Sequence, residues 1–158
     1  MIIIKKGNIL EAKENVICHQ VNVEGIMGGG LALQIAKLYP NVENEYKDWC
    51  QQNRYLYEAL CGDYKLIKIN DNQFIANCFT QMLDFTTDYS AIVNCFGILL
   101  KLCQANNWTI AVPYGYGCGI AKGDWNIVSK IFEELSNNNG IDIVIYKLED
   151  NKWKANKN

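Results

Sequence analysis

Two glycine-rich stretches hold the residues of this chain best suited to chemistry. In CHQVNVEGIMGGGLA, from Cys18 to Ala32, a buried-strand pattern stops at Asn22, and a flexible segment follows that ends in Gly28, Gly29 and Gly30. A helical pattern begins at once. Glycine lets main chain approach phosphate oxygens closely, and bare N–H groups at a helix N-terminus face an anion. The stretch PYGYGCGI, from Pro113 to Ile120, repeats the layout after another short apolar run. Two such loops suggest a diphosphate. His19, the only histidine, is the one side chain whose ordinary pKa lies near neutrality, which makes it a candidate for proton transfer. A structural strand histidine is the competing reading, because strand alternation puts His19 and Asn22 on opposite faces. Cys118 lies inside the second loop, where helix-end amides lower a thiol pKa, yet no histidine is an obvious base for it and a small residue simply fits a tight turn. Glu24, the one acid of the first loop, reads as solvated.

The elements that must hold these loops follow from the rest of the chain. With 158 residues, 49% hydrophobic and 20% charged, the chain can bury a substantial core. No apolar run reaches membrane-spanning length, and MIIIKKGN lacks the parts of a signal peptide, so a cytoplasmic home is expected. Seven cysteines without a C-x-x-C pair, and a single histidine, point to reduced thiols and no metal. A net charge of -2 with one arginine, Arg54, gives no general attraction for nucleic acid.

Ile2 to Ile4 read as a strand, and residues 16 to 21 as a second one, apolar enough on both faces to be central and parallel. Leu31, Ile35 and Leu38 recur at helical spacing up to Tyr39, and Pro40 suits the first turn of another helix through about Gln52. KLIKI and QFIANCF, separated by Asn70 to Asn72, make a hairpin. Residues 80 to 87 read as a loop. Thr87 or Asp88 caps a long helix to about Asn106, with Ile92, Cys95, Phe96, Leu99 and Leu102 as its buried stripe. A short strand through Val112 feeds the second glycine loop. Asp124 caps a helix through Ile127, Ile131 and Leu135 to Gly140, and Ile141 to Leu148 form the last strand. Strands alternating with helices give an α/β fold, in which ligands bind beyond the carboxyl ends of the strands. Residues 1–149 are read as one domain and residues 150–158 as a flexible tail.

Neither loop fits G-x-G-x-x-G, and Lys122 lacks the neighbours of a Walker A motif. KGNIL (Lys6 to Leu10), ICHQVNVEGIMGGGLALQIAKLYP (Ile17 to Pro40), VPYGYGCGIAKGDW (Val112 to Trp125) and IVIYKL (Ile143 to Leu148) together resemble a macrodomain, the ADP-ribose-binding module, in family order over nearly the whole length. The chain is most similar to the branch that holds the fungal ADP-ribose-1″-phosphate phosphatase, the terminal ADP-ribose protein glycohydrolase and the antitoxins that remove ADP-ribose from DNA. That resemblance implies a three-layer α/β/α sandwich with a mixed, largely parallel central sheet. It also implies a diphosphate clasped by Met27, Gly28, Gly29, Gly30 and Leu31 on one side and by Tyr114, Gly115, Tyr116, Gly117, Cys118, Gly119 and Ile120 on the other. Asn22 takes the place that contacts the distal ribose. Asn8 and Ile9 fall at the adenine edge, with an amide in place of the usual carboxylate, and Tyr146 and Leu148 match residues that pack on adenine, plain strand core being the alternative for both.

The glycohydrolase's lysine and aspartate are absent, because TQMLDFTTDYS has no lysine and the aspartate position is Ala121. The Asn and Asp pattern of another hydrolase branch is absent too. The resemblance therefore implies a monomer that binds ADP-ribose or a derivative, without cofactor, and hydrolyses at the distal ribose, first as an ADP-ribose-1″-phosphate phosphatase assisted by His19. The alternatives are an ADP-ribosyl hydrolase acting on an ADP-ribosylated protein or nucleic acid, and a binding module without turnover.

Overall fold

In the computed structural model, which describes residues 1–54 and 60–149, six strands form one mixed sheet in the order β1-β6-β5-β2-β4-β3. The strands are β1 (Ile2–Lys6), β2 (Val16–Val21), β3 (Tyr64–Asn70), β4 (Gln73–Phe79), β5 (Ile110–Pro113) and β6 (Ile143–Lys147). Neighbours run parallel except β3, which pairs antiparallel with β4 across the Asn70 to Asn72 turn. β2 lies between β4 and β5, as its apolar faces require.

Alternation along β2 and β4 divides the core in two. Val16, Cys18, Ala76 and Cys78 pack with α3 (Tyr89–Asn106) and α4 (Trp125–Asn139). Ile17, Val21, Ile75 and Phe79 pack on the other face with α1 (Gly30–Leu38) and α2 (Pro40–Gln52). The result is the three-layer α/β/α sandwich, in which each helix covers one face of the sheet with its apolar stripe. Aspartates open both long helices. Asp88 Oδ1 accepts from Ala91 N at 3.1 Å and Asp124 Oδ1 from Asn126 N at 2.8 Å, each cap being worth about 1 kcal/mol. At their other ends Asn107 and Gly140 take left-handed backbone.

The structure adjusts several expectations. α1 starts at Gly30, one residue early, because a glycine with φ +56 turns the chain into the helix. On α4 the buried side is Val128, Phe132 and Ser136, and Ile127 is 44% exposed. In α3 Leu102 is only partly covered, and Leu100 and Cys103 are buried beside Ile92, Cys95, Phe96 and Leu99. The expected tail, residues 150–158, lies outside the described residues. All seven cysteines are free thiols.

Candidate functional site

The first loop leaves the carboxyl end of β2 and is organised by Asn22. Its Oδ1 accepts from Glu24 N (3.0 Å) and Ile26 N (3.2 Å), its Nδ2 donates to Ile26 O (2.8 Å), and the Tyr46 hydroxyl of α2 reaches its backbone oxygen (2.6 Å). The side chain proposed for a ribose contact is thus also the loop's internal brace. Val23 and Met27 anchor the loop in the core, so Met27 can offer a ligand only main chain. Gly28, Gly29 and Gly30 emerge into solvent. Gly29 is the N-cap of α1, and no side chain caps the helix. The first amides of α1 therefore have no acceptor within the helix and are aimed outward with the positive end of its dipole.

The second loop is held from behind by a polar network. Thr87 holds the loop at two points: its N–H donates to Ala121 O (2.9 Å) and its hydroxyl to Gly117 O (2.5 Å). Gln20 Nε2 reaches Thr80 Oγ1 (3.1 Å) and Thr87 Oγ1 (3.2 Å), and the Thr80 hydroxyl shares a 2.6 Å bond with the Tyr116 hydroxyl. Tyr116 packs edge-on against Phe96 and Phe132, with ring centroids at 5.5 and 5.6 Å, so its side chain belongs to the core. Gly119 and Ile120 stand exposed at the crest, Ile120 at 84%. The Cys118 thiol donates to Tyr116 O at 3.2 Å, and burial pushes its pKa up, which holds it as thiol.

These two crests meet. A methyl group built on Gly29 would lie 3.7 Å from Ile120 Cδ1. The proposed adenine residues gather at the same edge of the sheet, where β1, β6 and β5 end. Tyr146 is registered between Lys5 and Pro113, and its main-chain oxygen accepts from Tyr114 N at 2.9 Å. Its hydroxyl donates to the buried Glu14 carboxylate at 2.9 Å, and burial with that carboxylate pushes its pKa up to about 12. Asn8 uses Oδ1 to accept from Leu10 N (3.0 Å), Ile9 is buried below it, and Leu148 is half-buried. Tyr114 is partly exposed, with Trp125 on its ring at 4.7 Å and Lys147 Nζ over it at 4.5 Å.

His19 sits apart from this surface. It is 2% exposed, and Nε2 lies 2.5 Å from Oδ1 of Asn77, its partner in register on β4. Burial lowers its pKa to about 4, outweighing the Asn77 bond, so the ring is neutral at pH 7. Nδ1 and Asn77 Nδ2 have no hydrogen-bond partner among the described residues. Sequence reasoning missed Gln20, Tyr46, Thr80 and Thr87. Gln20 left a trace as a polar residue beside His19 on a mostly apolar strand, and Thr87 stood out only as a candidate helix cap.

Among the described residues no group of three or more His, Cys, Asp or Glu side chains could hold a metal ion, and no helix is long and apolar enough to cross a membrane. What the architecture defines is an α/β/α module with two adjoining glycine turns at the carboxyl edge of its sheet.

No protein-family model matches the sequence. An uncharacterized 17.5 kDa protein from the tk-vs intergenic region of Enterobacteria phage T4 is 30% identical over 154 residues, covering 91% of this chain and 94% of that one. The ADP-ribose 1″-phosphate phosphatase of Candida albicans is 27% identical over 123 residues, 65% of this chain and 76% of the enzyme. For the phosphatase of Lodderomyces elongisporus the values are 33% over 85 residues, 51% of this chain and only 49% of the enzyme. Among solved structures, the macrodomain of Mycobacterium tuberculosis DarG superposes with a TM-score of 0.78 at 25% identity, over 92% of this chain and 97% of that one. Thermosipho africanus DarTG, solved in complex with ADP-ribose, superposes with a TM-score of 0.76 at 19% identity, over 92% of this chain and 41% of that one. The chain has the fold of a macrodomain.

Proposed function

We propose that this macrodomain binds ADP-ribose or a derivative, with the pyrophosphate between Gly28–Leu31 and Tyr114–Ile120, and hydrolyses at the distal ribose. One observation carries the reading. Gly28, Gly29 and Gly119 lack the positive φ that would demand glycine, and a side chain at any of them would meet at most ordinary van der Waals contact. Nothing inside the protein requires glycine there, whereas a phosphate drawn against bare main chain does. Asn8, Ile9, Tyr146 and Leu148 line the adenine end in this reading, and Asn22 the distal ribose.

The first substrate we assign is ADP-ribose-1″-phosphate, supported by the names of the fungal relatives. Water attacks phosphorus, the bond from phosphorus to the ribose oxygen breaks, and that oxygen takes the proton released by the water. Loop amides stabilise the charge that develops. His19, the candidate for proton transfer, is neutral and buried against Asn77, so any part it has in this step is indirect. A second reading, removal of ADP-ribose from a macromolecule, is favoured by exposed apolar side chains around the loops. Binding without turnover is the third, and it is favoured by Ala121, whose buried methyl occupies the aspartate position.

Calorimetric titration with ADP-ribose tests the binding, and incubation with the phosphorylated and the protein-linked substrates tests the chemistry. Phosphate release from ADP-ribose-1″-phosphate is the expected result. Cleavage of the protein-linked substrate alone would overturn the phosphatase assignment. For His19→Ala we expect reduced phosphate release, restored in part by His19→Gln with an unchanged pH profile; full activity in His19→Ala would remove the residue from the mechanism.

A further inference from the structure

Two lysines stand side by side at the carboxyl rim, next to the residues read as the adenine end. Lys6 closes β1 and Lys147 closes β6, and the parallel pairing of these strands puts the two in register, one strand spacing of about 4.8 Å apart. Both are exposed. Ile2, Ile143 and Ile145 pack on the α3/α4 core, so period two along each strand directs Lys6 and Lys147 to that same face. Main-chain bonds join the pair to the candidate site. Gly7 N donates to Lys147 O at 2.9 Å, and Tyr114 N, at the start of the second glycine turn, donates to Tyr146 O at 2.9 Å. Lys147 Nζ lies 4.5 Å from the centroid of the Tyr114 ring, which Trp125 of α4 backs at 4.7 Å.

Like charges in register on neighbouring strands repel, and no acid relieves this pair. Neither lysine has an ion-pair partner among the described residues, Glu149 two residues further on included. Glu14 lies toward the opposite face of the sheet, where it takes the Tyr146 hydroxyl and has Lys5 at 3.9 Å. Asp124 is occupied as the cap of α4. A lysine on an edge strand discourages further strand pairing, which accounts for Lys6 but not for Lys147, because β6 lies inside the sheet between β1 and β5. Two adjacent cations without an acid, one of them held over an aromatic ring, suit a phosphate.

We infer that Lys6 and Lys147 hold a phosphate monoester carried on the adenosine ribose, so that the ligand class includes ADP-ribose phosphorylated at its adenosine end. The inference rests on the ADP-ribose-binding reading and extends that site past the adenine. With the pyrophosphate between the glycine turns and the base beside Asn8 and Tyr146, the group that reaches the lysines belongs to the adenosine half of the ligand. A dianionic phosphate there gains two cations that the unphosphorylated nucleotide leaves unused, and Tyr114 fixes the direction of one of them. This position is separate from the distal ribose, which lies at the other end of the same ligand.

The test titrates the full chain with ADP-ribose and with its derivatives phosphorylated on the 2′- or the 3′-hydroxyl of the adenosine ribose. At least one phosphorylated ligand is expected to bind about five- to tenfold more tightly than ADP-ribose at low salt, a preference that shrinks as salt is raised. Lys6→Gln, with folding checked by circular dichroism, is expected to remove most of that preference and to leave ADP-ribose affinity unchanged. Lys6→Arg restores the preference, and Lys147→Arg, which keeps both the charge and the stacking on Tyr114, retains it. Equal or weaker affinity for both phosphorylated ligands would overturn the inference and leave the binding site standing. A preference that survives in the double variant Lys6→Gln with Lys147→Gln would assign the phosphate to other residues and also overturn it. If the wild type bound none of the three ligands, the underlying functional reading would fall, and this inference with it.

Discussion

In the first loop Gly28 and Gly29 touch almost nothing, while in the second Gly117 and Gly123 are wedged into the protein. A methyl on Gly117 would lie 2.7 Å from Thr87 Oγ1, and one on Gly123 would lie 2.5 Å from the Gly117 carbonyl oxygen. Side chain and main chain leave no room there. Gly119, two residues beyond Gly117, has open space on its Cβ side. The second loop thus contains both kinds of glycine, one demanded by packing and one that only an outside partner would demand. The braces differ as well. Asn22 and Tyr46 tie the first loop from within and from one helix, whereas the second is fastened through its own Tyr116 and by Gln20 of β2 and Thr80 and Thr87 of the segment between β4 and α3. The same residue type therefore reports on folding at one position and on a ligand at another, and only its surroundings tell which.

That contrast can be broken by substitution. The largest expected effect is Gly29→Glu, which fills the meeting point of the turns and adds a repelling charge. ADP-ribose affinity in calorimetry should drop more than about a hundredfold, with stability changed by less than about 0.5 kcal/mol, as is usual for exposed sites. Undiminished affinity would place the pyrophosphate elsewhere. Gly117→Ala should do the reverse and cost about 2–4 kcal/mol in urea unfolding, by left-handed strain plus the clash with Thr87. A wild-type midpoint would mean that the second loop gives way easily.

Acid sharpens the comparison from behind the first loop. His19 has a pKa of about 4 when folded and an ordinary value near 6.5 when unfolded. Between those values the unfolded state binds more protons, so stability falls as pH falls. From pH 7 to pH 5 the wild type should lose about 2 kcal/mol more than His19→Gln does, with the loss ending near pH 4. Parallel curves for the two proteins would refute the buried neutral imidazole. The smallest effect is expected for Gly119→Ala, about tenfold in ADP-ribose affinity with no change in melting. Lowered stability there would move Gly119 into the packed class.

Much of this architecture could be read from residue order. The apolar faces of Val16 to Val21 marked a central strand, Asn70 to Asn72 marked the hairpin, and Asp88 and Asp124 marked the helix starts, because each rests on local chemistry. The glycine turns were legible for the same reason. The network that fastens the second turn was not. Gln20, Thr80 and Thr87 are separated along the chain and meet only because β2 and β4 pair in one register, which no local spacing encodes. Met27 and Tyr116 mislead in a related way, since residues inside a ligand loop can send their side chains into the core and present only main chain. The exposure of Ile127 follows from a turn of the helix by one residue, a difference that periodicity resolves poorly in a stripe of mixed isoleucine and valine.

The pairing of β1 with β6 has a consequence for how the protein is made. Ile2 to Lys6 are synthesised long before their hydrogen-bonding partner, Ile143 to Lys147. Until then an isoleucine-rich edge waits unzipped, and closing so distant a pairing is slow. Nascent chains should be most vulnerable to clumping in that interval, and the two lysines that end the strand are the residues placed to discourage it.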